Sequence, residues 1–234
     1  MPDTIVDGGP SDASIADGGP RDAPRPDATP PPDALGSTTY STTFDGTESP
    51  ISEAGVWTHV GQDWTFVDTA GGIAFGTQTG TNGYNDSYAH LSGFPPDHSA
   101  SGVIYRSPSL DGSCGTHEVE ILLRWSDSPH DAHGYECNLA FDGSYAQIVR
   151  WNGPLSDFTY LGSGSVPGGV KSGDTLGATI VGAKITLFVN GVEIAHATDA
   201  NPFAAGNPGM GFWRGGDCGT TGDYGFTSYS ATTP

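Results

Sequence analysis

From Ser37 onward, apolar residues fall at alternate positions in short runs broken by Gly, Asn-Gly and Asp-Gly. No window of eleven residues carries the i, i+3, i+4, i+7 spacing of an amphipathic helix, so the pattern predicts strands throughout. In residues 117–125 (HEVEILLRW), Val119, Ile121, Leu123 and Trp125 share one face, and Glu118, Glu120, Leu122 and Arg124 the other. Residues 135–141 (YECNLAF) place Cys137, Leu139 and Phe141 opposite Glu136 and Asn138. Asp142-Gly143 then has the composition of a tight hairpin turn, which sets Leu139 against Ala146, Asn138 against Gln147 and Cys137 against Ile148. A second such turn, Asn190-Gly191, joins residues 184–189 to residues 192–197.

Pairing Trp125 with Tyr135 across the intervening loop sets Leu123 on Cys137, Ile121 on Leu139 and Val119 on Phe141, all apolar. The other face then collects Arg124 opposite Glu136 and Leu122 opposite Asn138, with Glu118, Glu120, Tyr145, Gln147 and Trp151 nearby. A one-residue slip would invert every side chain, so the agreement of two hairpins supports the assignment of faces. A sheet with one apolar face must bury it, and many short strands of this kind predict an all-β, two-sheet antiparallel sandwich.

The charge is uneven. The chain has 234 residues and a formal charge of −19, from 8 Lys and Arg against 27 Asp and Glu. Residues 1–36 hold 8 of the 18 Pro and a net −5, repeat the tetrapeptide DGGP, and have few large apolar residues. Such a segment cannot offset its chain entropy, and is expected to be a disordered linker or stalk ahead of one sandwich domain over residues 37–234. With no basic run, nothing neutralises a phosphate backbone or an anionic bilayer, and no apolar stretch reaches the ~20 residues of a membrane span. Nucleic acid and membrane insertion are therefore excluded as partners of the domain. Met1 is followed directly by Pro-Asp, without the charged and apolar regions of a signal peptide.

The stretch GDTLGATIVGAKITLFVNGVEIAHATD, then GNPGMGFWRGG and the closing YGFTSYSA, resembles the C-terminal half of concanavalin A-like jelly rolls of the laminin-G and family-16 glycosidase superfamily. The resemblance implies a jelly roll whose last strand pairs beside the first, at residues 40–45, and whose concave sheet binds glycans. It also implies a structural calcium at the Asp45 turn. The tail resembles the stalk of secreted lipoproteins of myxobacteria, which implies a secreted or cell-surface location.

On the face so assigned, Glu118 and Glu120 stand about 6.6 Å apart along one strand, within the range of glycosidase carboxyl pairs. Family-16 enzymes carry E-x-D-x-E, and here the third position is Leu122. Catalysis by Glu118 and Glu120 thus lacks its acid/base at the matching residue, with Glu136 the neighbouring-strand substitute. The alternative is a solvated face with an Arg124–Glu136 pair. A binding module needs only aromatic platforms and planar polar groups, which Trp151, Tyr145, Asn138, Gln147, Glu136 and Arg124 provide, with Trp213 joining from a loop. A lyase would use Tyr145 as base with Arg124 and Arg150 neutralising a uronate, but no positioned His joins them, and the carboxylates would repel a polyuronate.

His130 and His133 with Asp127 and Asp131 have the residue types of a metal site in a loop. Of three cysteines, Cys114 and Cys218 lie in Gly-rich loops and Cys137 on the core face. A Cys114–Cys218 disulfide with Cys137 as a buried thiol is one arrangement, and three reduced thiols the other. The functional expectation is a monomeric extracellular domain that binds a neutral or weakly charged glycan, with no cofactor beyond the structural calcium. A family-16-like β-glycanase is the alternative, and a lyase or an adhesion domain the third reading.

Overall fold

The structure, a computed structural model, describes residues 37–61, 63–77, 86–110, 114, 116–215, 219 and 221–234. The tail 1–36 and Cys218 lie outside these residues. Chain order begins with β1 (Thr39–Thr42), β2 (Thr65–Ala70), β3 (Ile73–Gly76), β4 (Asp86–His90), β5 (His98–Arg106), β6 (Glu118–Ser128) and β7 (Asp131–Ala140). It continues with β8 (Ala146–Gly153), β9 (Phe158–Gly164), β10 (Thr175–Val181), β11 (Lys184–Val189), β12 (Val192–Thr198), β13 (Asn207–Trp213) and β14 (Tyr224–Thr232). No α-helix occurs among the described residues.

Two sheets result. One runs β12-β11-β10-β5-β14-β3-β2, with β1 also paired to β14; the other runs β4-β13-β6-β7-β8-β9. A short parallel pairing of β2 with β4, through Thr65 with Ser87 and Phe66 with Tyr88, links them at one edge. The first and last strands are neighbours, as the resemblance implied, with Tyr40 opposite Ala231. Between the sheets lies one apolar core: Val119, Ile121, Leu123 and Ile148 from one side meet Ile104, Leu176, Ile185, Leu187 and Phe226 from the other. Each such fully buried side chain contributes about 1.5–3 kcal/mol by leaving water. A second cluster, Trp64, Tyr88, Leu122, Trp125, Val149 and Trp151, sits on the opposite face of the second sheet.

The β7–β8 hairpin has the expected register, with Leu139 on Ala146, Asn138 on Gln147 and Cys137 on Ile148. The β11–β12 turn is also as expected: Asn190 and Gly191 take φ of 50° and 76°, the left-handed pair that suits a two-residue hairpin. The β6–β7 register differs by two residues. Leu123 pairs with Tyr135, Ile121 with Cys137 and Val119 with Leu139, because both strands run on past the expected loop to a turn at Pro129-His130. An even offset preserves which face each side chain occupies, so the core is unaffected.

A bulge between Leu123 and Ser126 ends that agreement. Arg124 adopts φ of 46° there, and the extra residue reverses the alternation. Trp125, expected in the core beside Leu123, joins the second cluster instead. Arg124, expected opposite Glu136 on the polar face, is buried elsewhere. Its guanidinium donates to Pro96 O (2.7 Å), Phe203 O (2.7 Å), Gly182 O (2.8 Å) and Asp97 Oδ1 (2.9 Å). Its backbone N–H donates to Nε2 of His98, whose Nδ1 lies 2.7 Å from Pro95 O. Burial lowers the His98 pKa to about 4, which keeps that ring neutral and able to accept. Gly206 packs so closely on this bulge that a Cβ there would stand 2.0 Å from Arg124 O.

Arg124 thus ties three loops to one strand and leaves four acceptors stranded if removed. Arg124→Met is expected to lower the unfolding free energy by about 3 kcal/mol or more, measured by urea denaturation. Loss below about 1 kcal/mol would show that the bulge holds without its guanidinium.

Candidate functional site: a carboxylate-floored groove

The outer face of the second sheet is laid out in rows, because paired residues in antiparallel strands point the same way. One row runs Asp86, Trp213, Glu118 across β4, β13 and β6. The next runs Tyr88, Gly211, Glu120, Asn138, Gln147. The third sets Leu122 beside Glu136, Val149 and Tyr160. Over these rows lies an open groove of about 430 Å³ walled by Trp151, Phe158, Tyr160 and Trp213.

Four carboxyl groups from three strands form its floor. Glu118 is 7% exposed, and Tyr145 donates its hydroxyl to Glu118 Oε1. Burial, reinforced by the Glu136 charge and opposed by the Tyr145 bond, raises the Glu118 pKa to about 8. Glu136 accepts from Trp151 Nε1 at Oε2 and from Asn138 Nδ2 at Oε1, both at 2.7 Å. Burial raises its pKa too, but those two donors pull it back toward the ionised form. Asp86, 8% exposed, is raised by burial and then by Glu136 and Glu118.

Glu120 is the extreme case. It is 0% exposed, and neither carboxyl oxygen has a hydrogen-bond partner. Its neighbour on β13 is Gly211, where a Cβ would stand 2.1 Å from Glu120 Oε2 and displace the carboxyl group. Burial first, then the charges of Glu136, Asp86 and Glu118, hold its pKa well above the usual carboxylate range. Carboxyl oxygens of Glu118, Glu120 and Glu136 lie within 4.8 Å of one another.

Of the residues expected on this face, Glu118, Glu136, Asn138, Tyr145, Gln147, Trp151 and Trp213 all line the groove. Glu120 lies beneath it, out of reach of a sugar in the groove, and Arg124 is absent from it for the reason given above. Trp151 is 4% exposed, edge-on to Trp64 at 4.8 Å, so its ring is wall rather than platform. Arg150 points to the other side of β8, where it pairs with Asp199 and lies 3.9 Å over the Phe203 ring. Asp86, Phe158 and Tyr160 were missed. Alternating Phe158 and Tyr160 in FTYL was a legible strand signal, whereas Asp86 reaches the groove only through the pairing of β4 with β13.

The loop residues Asp127, His130, Asp131 and His133, which have metal-ligand residue types, take separate partners. Asp127 is engaged by Tyr88, by Val60 N–H (2.8 Å) and by His90 Nε2 (3.0 Å), while His130 pairs with Asp63 and His133 with Asp131. Asp45 is exposed and accepts from Thr43. Cys137 is a free, fully buried thiol, and the expected Cys114–Cys218 pairing involves a residue outside those described. Tyr145 is held protonated by burial and by the Glu118 charge, the reverse of what a lyase base requires.

No family model and no curated protein matches the chain. Solved structures do. A carbohydrate binding module, CBM66 from Bacillus subtilis, matches with a TM-score of 0.52 at 14% identity, over 79% of this chain and 96% of that one. Porphyranase B from Zobellia galactanivorans matches at 0.52 and 12%, over 89% and 97%. An endo-β-1,3-glucanase from Pyrococcus furiosus matches at 0.50 and 12%, over 83% and 93%. The fold is a concanavalin A-like jelly roll. At these identities the likeness establishes architecture, and the jelly roll's neighbours include both sugar-binding modules and glycan hydrolases.

The floor makes a pH prediction. A carboxyl that stays protonated in the fold binds more protons than its unfolded counterpart, so stability falls as pH rises between the two pKa values. For Glu118 that window runs from 4.5 to about 8. In metal-free buffer, unfolding free energy is expected to decline from pH 5 to 8. Glu118→Gln is expected to flatten the decline by about 1.4 kcal/mol per pH unit. A stability curve level across this range would show that Glu118 ionises normally.

Proposed function

We propose that this jelly roll is a carbohydrate-binding domain, with the glycan lying in the groove over Glu118 and Glu136. The observation that carries this reading is the composition of the groove: half-buried Trp213 and 60% exposed Tyr160 flank a strip of planar acceptors and donors, Glu118, Asn138 and Gln147. Sugar rings stack their C–H faces on aromatic rings while their hydroxyls bridge such groups. Structural neighbours that bind or act on polysaccharides support the glycan class. The acidic, Pro-rich composition of the tail and its stalk-like repeat support a secreted or surface-tethered setting for such a domain.

Tyr160→Ala and Trp213→Ala are each expected to weaken glycan affinity about tenfold or more without shifting the thermal midpoint, since both rings are partly solvent-facing. A glycan array that retains no sugar with the unmodified protein would sink the reading.

One observation favours hydrolysis as a second reading. One carboxyl oxygen of Glu118 and one of Glu136 lie within 4.8 Å of each other, nearer the about 5–5.5 Å of retaining glycosidases than the about 6.5–9.5 Å of inverting ones, and Glu136 stands beside Leu122, where the E-x-D-x-E pattern lacks its carboxylate. Glu118 would be the protonated acid and Glu136, held by two donors, the nucleophile. The binding reading expects no reducing ends from β-glucans or galactans. Release that disappears in both Glu118→Gln and Glu136→Gln would transfer the groove to the hydrolase reading.

A further inference from the structure

We propose that Glu118, Glu120, Glu136 and Asn138 form a binding site for one divalent cation of calcium size at the floor of the groove. Three carboxyl groups alone would not carry this, since acidic clusters are common. Two further observations point to a ligand. Glu120 is wholly buried with both oxygens unpartnered, and Asn138, 4% exposed, has its Oδ1 unpartnered while its Nδ2 is fixed on Glu136. An amide oxygen with nothing to accept, directly across the ladder from a carboxylate with nothing to accept from, is a donor set missing its acid. Gly211 keeps the space for the Glu120 carboxylate open.

The chemistry selects the ion. All four donors are hard oxygens, which suit calcium, magnesium or manganese and not zinc or copper. One carboxyl oxygen from each of the three glutamates lies within 4.8 Å of the others. Magnesium demands near-ideal octahedral geometry at about 2.0–2.1 Å, which carboxylates fixed on two neighbouring strands do not readily supply, whereas calcium binds oxygens at about 2.3–2.6 Å. Calcium also tolerates irregular geometry and takes six to eight oxygens. Positions not filled by the four side chains face the groove, where paired sugar hydroxyls are suitable ligands. That bridging role rests on the glycan-binding reading; the ion site itself does not, and it is read without sugar.

The test is calcium titration of the chelator-treated full chain by calorimetry. Terbium luminescence sensitised by tryptophan gives a second readout, since Trp151 is hydrogen-bonded to Glu136. One saturable calcium site, at least tenfold stronger than magnesium, is expected, with a calcium-dependent rise in thermal midpoint. Glu120→Gln preserves shape and removes the charge, so it is expected to stay folded and weaken calcium at least tenfold; Glu118→Gln is expected to do the same. Glu193→Gln, at an exposed carboxylate on β12 of the other sheet, is the control that leaves affinity unchanged. No saturable calcium binding up to about 10 mM, weaker than the range of extracellular calcium modules, would overturn the proposal. Undiminished affinity in both glutamine variants would overturn it equally. A blank glycan array alongside normal calcium binding would remove the sugar and leave the ion site standing.

Discussion

The two-residue period of β6 is the constraint on which the rest depends. Val119, Ile121 and Leu123 serve the core between the sheets, so Glu118, Glu120 and Leu122 have no choice but the opposite face. The core fixes the strand's rotation with several fully buried side chains, and that rotation delivers the carboxylates to the groove floor. The bulge at Arg124 is where this coupling is released. One extra residue sends Trp125 to the outer face, where it stacks on Trp64 at 5.7 Å in the aromatic cluster that also holds the groove residue Trp151. The inward turn of Arg124 then anchors three loops at the same point.

Burying carboxyl groups in this way works against stability. Each must remain protonated, find donors, or be neutralised, and the floor uses the first two solutions unequally. Glu136 has two donors, Glu118 has one, and Glu120 has none. A surface meant only to be solvated would not place its most deeply buried acid where no donor reaches it. The same floor contrasts with Asp127 in the neighbouring corner, whose three donors hold its pKa below the usual range and whose ionisation stabilises the fold at neutral pH.

How much of this was legible in sequence depends on whether the information was local. The β7–β8 and β11–β12 hairpins follow from Asp-Gly and Asn-Gly turns beside alternating residues; the β7–β8 register could be drawn directly, whereas a bulge between Leu187 and Phe188 shifts β11–β12 beyond its turn. The β6–β7 offset kept the right faces because it was even, so Glu118, Glu136, Asn138, Tyr145, Gln147 and Trp151 were placed together correctly despite the wrong partners. Arg124 and Trp125 failed for one reason: a bulge inverts parity, and nothing in L-L-R-W-S announces one. Its determinants are Pro96, Gly182, Phe203 and Gly206, all distant in the chain. Asp86 was invisible likewise, since only β13 brings it beside Glu118. Burial was the other gap. Alternation says which face a glutamate takes but not that Glu120 is wholly buried there.

Protonation and cation binding are competing answers to the same problem, and that competition bears on which activity the groove can have. A glycosidase acid must carry a proton to the leaving oxygen, so Glu118 has to remain protonated and free to approach the sugar. A carboxylate bound to calcium has no proton to give, and Glu136 bound to the same ion is a poor nucleophile. An ion on Glu118, Glu120 and Glu136 therefore excludes hydrolysis by this pair while favouring adhesion, because it replaces a patch of mutual repulsion with a centre that attracts hydroxyl oxygens. The wholly buried position of Glu120 weighs on the same side. It cannot touch a sugar, so in a hydrolase it would only raise the pKa of its neighbours, a task burial already performs. In a cation site it supplies the charge beneath the ion, from the one direction the groove leaves closed.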